Sequence, residues 1–169
     1  IAKEVVKYAH DGFGMRIIYT DMRRDKDFEA QYQARFMTLE KLLQTADIVS
    51  LHVPLLPSTK HLINTKTLRL MKKTALLINT ARGPVVDEKA ALKALYAKRL
   101  AGFALDVFEC EPNTDCDPSD QMALKALSNV IMTPHIASAT VNARNAMARI
   151  AAQNILDVFA GKTPEHIAK

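Results

Sequence analysis

The sequence predicts an α/β fold of the Rossmann-like type: a doubly wound parallel sheet with helices on both faces. Three observations carry that expectation. Short apolar runs alternate with amphipathic stretches along all 169 residues, as strand–helix crossovers require. The runs are apolar at most positions rather than at every second one, which is the pattern of buried parallel strands. Residues able to do chemistry stand just after the runs, where open parallel sheets bind their ligands.

The elements follow in order. Residues 2–11 read as a helix with Val5, Val6 and Ala9 on one side, closed by the turn signal Asp11-Gly12. Residues 15–20 (MRIIYT) read as a strand ending at Asp21, and the charged run 21–27 as a solvated turn. A short helix is expected over 39–46, and a strand over 48–53 that Pro54 stops. One or two helical turns over 65–71 precede a strand over 75–80. Residues 87–98 form the clearest helix: Asp87 is a good N-cap, Ala90 occupies N3, and Ala91, Leu92 and Leu95 give the apolar face. Strands are expected over 102–107 and 130–133, separated by an irregular polar stretch over 111–120. An amphipathic helix over 139–159 ends at Gly161.

Composition narrows the class. The chain is 49% apolar, with 23 Lys and Arg against 18 Asp and Glu, a net charge of +5. The basic residues are interspersed with acids, unlike the dense patch of a nucleic-acid face. No apolar run approaches a membrane span, and no signal peptide is visible, so a cytoplasmic protein is expected. Cys110 and Cys116, six apart in a polar loop, are expected as free thiols of a reducing compartment, with a disulfide or half a metal site as the alternatives. Ile1 opens directly in a helical pattern, so the chain reads as cut at its start.

The residues after the strands are Asp21, then His52 and Val53, then Ala81 and Arg82, then Asp106 with Glu109 and Glu111 beyond, then His135. Arg82 offers a planar fork that fits a carboxylate. His135 is able to give or take a proton near neutral pH, and Glu111 is suited to hold its ring in one tautomer. Asp21 fits the acid that accepts hydrogen bonds from a ribose in a dinucleotide fold. The leading glycines of that fold are not present, although Ala2 suits the last position of their motif.

The stretches FGMRIIYTD (13–21), ADIVSLHVPLLPSTKHLIN (46–64), LLINTARGPVVDE (76–88), AGFALDVFECEP (101–112) and TPHIASAT (133–140) together resemble the D-isomer-specific 2-hydroxyacid dehydrogenases, over the whole chain. The resemblance implies hydride transfer between NAD(H) and a small 2-hydroxy or 2-oxo acid, with glyoxylate or hydroxypyruvate favoured. It implies catalytic roles for Arg82 on the substrate carboxylate, His135 as acid and base, and Glu111 as its partner. Asp21, Val53, Pro54, Thr80, Ala81, Arg82, Asp106, His135 and Ala137 would contact the cofactor. Asp21 favours NAD over NADP, and no metal is implied. Ala137 stands where many members have glycine, and the loop from Glu111 looks long. Formate dehydrogenases of similar pattern carry Gln at the place of Glu111. The whole chain, 1–169, is then an NAD-binding domain without its first strand, and the substrate domain is absent. A homodimer is implied. The alternatives are an NAD-linked corepressor-like assembly protein and an inert fragment.

Overall fold

A computed structural model describes residues 1–111 and 119–167. They form two compact units, residues 1–133 and 134–169. In the first unit, α1 (Ala2–Lys7) runs on as a π-helical turn through Gly12. There follow β1 (Ile18–Tyr19), α2 (Lys26–Tyr32), β2 (Arg35–Phe36), α3 (Leu39–Thr45), β3 (Ile48–Leu51) and α4 (Thr65–Leu68). The unit closes with β4 (Leu76–Asn79), α5 (Glu88–Tyr96), β5 (Gly102–Leu105), α6 (Ser119–Lys125) and β6 (Val130–Met132).

All strand pairs are parallel, but they divide into two sheets: β1 with β2, and β3-β4-β5-β6 in chain order. Every pair in the larger sheet is thus sequential, each joined by a crossover. Leu51, Asn79, Leu105 and Met132 are register partners across that sheet. They mark its carboxyl edge.

Local sequence explains the helix starts. Asp25, Thr38 and Asp87 each accept a backbone N–H three residues on, and Asn64 makes a capping box with Thr67. The expected cap of Asp87 on Ala90 is present at 2.8 Å. The charged run 21–27 is a turn only at its start. Asp25 caps α2, which buries Phe28 and Tyr32 four residues apart. Charge density around one capping acid hid that helix. The short β2 it leads to limits β1 to two paired residues instead of six.

The main core joins Leu43 of α3, Leu68 of α4, Ala91 of α5 and Leu124 of α6 to one pleat face of the larger sheet, through Val49, Leu51, Leu77, Phe103 and Leu105. The opposite face is half open: Ile48 and Leu76 are each 41% exposed and Ile131 69%. The expectation of strands buried on both faces therefore holds for one face of the described residues. A smaller cluster packs Phe28, Tyr32 and Ala34 with Val6, Ile17 and Tyr19.

The second unit is dominated by α7 (Val141–Phe159), capped by Thr140 on Ala143 and ended by Gly161 at φ +69°. It begins two residues later than expected and buries none of its side chains. Of the irregular stretch 111–120, residues 112–118 lie outside the described residues, and α6 already begins at Ser119. Cys116 lies outside them too, while Cys110 is disulfide-bonded, not a free thiol. That expectation rested on an assumed reducing compartment, which the residues themselves do not specify. No described helix is long and apolar enough to cross a membrane.

Candidate functional site

The carboxyl edge of the larger sheet gathers most of the residues singled out in the sequence. His52, Thr80, Asp106 and Thr133 each follow directly on a member of the register row. The chain then delivers Val53 and Pro54 from β3, Ala81 and Arg82 from β4, and Glu111 from β5.

Arg82 is placed by a residue that sequence reasoning passed over. Asn79 is only 1% exposed at the end of β4. Its amide donates to the Arg82 carbonyl at 3.0 Å and its side-chain oxygen accepts the Ala81 N–H at 3.1 Å. One buried side chain therefore satisfies two backbone groups of the turn and fixes its shape. An asparagine closing a buried apolar strand was the available signal. The Arg82 side chain is exposed, one guanidinium N–H donates to Ala81 O at 2.7 Å, and no carboxylate among the described residues pairs with it.

Gly83 answers why Arg82 is followed by glycine. A Cβ there would lie 1.8 Å from Phe108 O, 1.9 Å from Phe108 C and 2.4 Å from Glu109 N. The β4 exit is thus seated directly on the β5 exit, backbone against backbone, and Arg82 and the Glu111 segment are neighbours for that reason. Pro84 is the second residue of the short 3-10 turn Gly83–Val85 that carries the chain toward α5.

Asp106 is 5% exposed and accepts a short hydrogen bond of 2.5 Å from the Thr133 hydroxyl. Its backbone N–H donates to Asn79 O at 3.0 Å, so it also braces the edge. Asp21 follows β1, in the smaller sheet; it is exposed, accepts the Met22 N–H at 2.6 Å and lines a recess formed by residues 21–27. A carboxylate presented to solvent at a strand end is what a ribose diol needs, so Asp21 fits the ribose of a dinucleotide. Arg24 is committed elsewhere: its guanidinium donates to Glu29 at 2.9 and 2.6 Å and lies 5.8 Å from the Phe36 ring centre. Burial holds the His52 imidazole below its usual value, and the ring lies 2.9 Å from the Ser50 hydroxyl. In the second unit, His135 and Ala137 are exposed, with His135 at φ +52°.

One titratable group with a large shift was not legible in the sequence. Glu88, at the first turn of α5, is 4% exposed. Burial pushes its carboxyl up to about 7, with the charges of Glu109, Asp120 and Glu111 adding to the effect, while the Glu109 N–H bond opposes it. The folded value lies above the unfolded one, so its contribution to stability is full below about pH 4.5 and is lost as pH rises through about 7. The difference amounts to about 3 kcal/mol. Glu88→Gln is expected to remove that slope and to stabilise the full-length protein at about pH 8 relative to wild type. Urea midpoints at about pH 5 and about pH 8 measure it, and parallel slopes for the two proteins would contradict it.

Residues 1–137 match the family model described as D-isomer specific 2-hydroxyacid dehydrogenase, NAD binding domain. A glyoxylate reductase of Korarchaeum cryptofilum is 47% identical over 156 residues, covering 92% of this chain and 46% of the relative. One of Thermofilum pendens is 50% identical over 153 residues, covering 90% and 44%. Among solved structures, a D-isomer specific 2-hydroxyacid dehydrogenase of Lactobacillus delbrueckii ssp. bulgaricus in its NAD complex superposes with a TM-score of 0.89 at 34% identity, covering 100% of this chain and 53% of that one. The D-lactate dehydrogenase of Lactobacillus jensenii with NAD+ gives 0.90 at 30% identity, covering 100% and 52%. The chain spans about half the length of these relatives.

Proposed function

The chain belongs to the D-isomer-specific 2-hydroxyacid dehydrogenases, as part of their NAD-binding domain, and from that premise we propose that the full-length protein reduces a small 2-oxo acid with NADH, reversibly. The observation that carries the reading is Arg82: an exposed arginine without a carboxylate partner among the described residues, held at the carboxyl edge by the buried Asn79. A cation kept unpaired in a fixed turn suits an anionic substrate. Glyoxylate is the first substrate to try, because the curated relatives carry that activity in their names.

In this reading NADH, when bound, supplies the hydride that reaches C2 of the oxo acid. Arg82 holds the substrate carboxylate and polarises the C2 carbonyl. His135 gives the proton that the carbonyl oxygen takes up, and takes it back in oxidation, with Glu111 as the acid that keeps its ring oriented. Asp21 receives the adenosine ribose hydroxyls. Asp106 serves the nicotinamide end, with Val53, Pro54, Thr80, Ala81 and Ala137 lining the cofactor. NAD is preferred over NADP because Asp21 repels a 2′-phosphate; of the two arginines nearby, Arg24 is engaged by Glu29, while Arg23 lines the same recess as Asp21. The protein is proposed to act as a homodimer.

The test is NADH oxidation by the full-length protein, with glyoxylate, hydroxypyruvate, pyruvate and 3-phosphohydroxypyruvate in parallel. Turnover with at least one of them is expected, and slower turnover with NADPH. Tight NADH binding without turnover on any of the four would overturn the reading.

A further inference from the structure

His61, in the connection after β3, plays no part in the reading above, yet its backbone is held at φ +50°. That left-handed conformation is unfavourable for a residue with a Cβ and persists where neighbours enforce it. Here they do. The His61 N–H donates to Pro84 O at 2.8 Å, and the Asn64 amide donates to the His61 carbonyl at 2.8 Å. With the backbone so fixed, the imidazole Nε2 lies 2.5 Å from Glu109 Oε1.

Glu109 uses its other groups on Glu88. Its Oε2 accepts the Glu88 N–H at 3.2 Å, and its own N–H donates to Glu88 Oε1 at 2.6 Å. The bonding is reciprocal, so neither residue moves without breaking both contacts. The three side chains come from three successive connections at the carboxyl edge, those after β3, β4 and β5. Little slack separates them from the proposed machinery. Pro84, which His61 grips, is two residues from Arg82, and Glu109 is two residues from Glu111. The Glu111 N–H closes back on Phe108 O at 3.1 Å, and Gly83 packs on the Phe108–Glu109 peptide.

We propose that His61, Glu88 and Glu109 form a positioning cluster that fixes Arg82 and the Glu111 segment relative to one another during the reaction. The proposal rests on the function given above. It assigns no contact with substrate to any of the three; they act through the backbone they lock.

The test uses the full-length protein with NADH and whichever 2-oxo acid wild type turns over best. Glu109→Gln keeps an acceptor for the Glu88 N–H but removes the charge facing His61. His61→Asn keeps a residue type that tolerates the left-handed backbone while shortening its reach. Each variant is expected to lower kcat about tenfold, the cost of misplacing a reacting group by a fraction of its reach. NADH affinity, read by fluorescence, is expected to stay within about twofold, since no cofactor contact is touched. The double variant is expected to be no slower than either single one, because the pair acts as one unit. Wild-type turnover with an unchanged kcat in both single variants would overturn the cluster and leave the function standing. Independent, multiplying losses, or a parallel loss of NADH affinity, would also overturn it, since they describe general damage. Absence of turnover in wild type would overturn the function and the cluster with it.

Discussion

Arg82→Ala in the full-length protein is expected to lower kcat/KM for 2-oxo acid reduction about a thousandfold, with NADH affinity nearly unchanged. Two losses combine in that figure. The substrate carboxylate loses a two-pronged partner, and the C2 oxygen loses a donor as charge develops on it; removing one such donor alone costs about a hundredfold to a thousandfold. Stability should hardly move, because the side chain is exposed and its hydrogen bond runs only to the adjacent Ala81 carbonyl. Arg82→Lys is expected to recover only part of the loss, since an ammonium supplies charge without the planar fork. A variant that keeps a tenth or more of wild-type kcat/KM would remove Arg82 from the chemistry.

Gly83→Ala is the more damaging change for the fold. The three atoms a Cβ would meet belong to the Phe108–Glu109 backbone, the nearest at 1.8 Å. No side chain is able to swing aside, so one whole connection has to move. Overpacking of this kind costs about 3 kcal/mol or more, which would appear as a fall in Tm of roughly 10 °C. Activity should fall with it, since the displaced segment leads to Glu111. The thermal melt decides: a Tm within about 2 °C of wild type, with kcat intact, would show that the two connections do not depend on their close approach.

The contrast between these two residues shows what the sequence made legible. Arg82 stood out because its chemistry is local: a forked cation just past an apolar strand, at the edge where parallel sheets bind ligands. The Asp87 cap and the positions of β3 to β6 were legible for the same reason, since periodicity and capping act within a few residues. Three things were not. The helix α2 was masked because Asp25, its cap, sits in a charged run that also suits a turn. The seat of Gly83 on residues 108–109 spans 25 positions, and no local pattern announces it. Glu88 reads as an ordinary first-turn acid of a helix, favoured there by the dipole. Its burial, and its reciprocal hydrogen bonds with Glu109 from 21 positions away, are properties of the assembled edge. The roles proposed for Glu111 and His135 rest on the chemistry of their side chains and on the resemblance together.

The seat of Gly83 also bears on how such a chain diverges. Loops at the carboxyl edge of a parallel sheet are usually free to vary one at a time, which is how one scaffold acquires many substrates. Here two of them share a backbone contact too tight for a single methyl group. An insertion after β5 that lifts the Phe108–Glu109 peptide would unseat the turn after β4. The two loops are therefore expected to drift as one heritable unit, and a graft that exchanges either alone for a relative's should fail where the paired exchange succeeds.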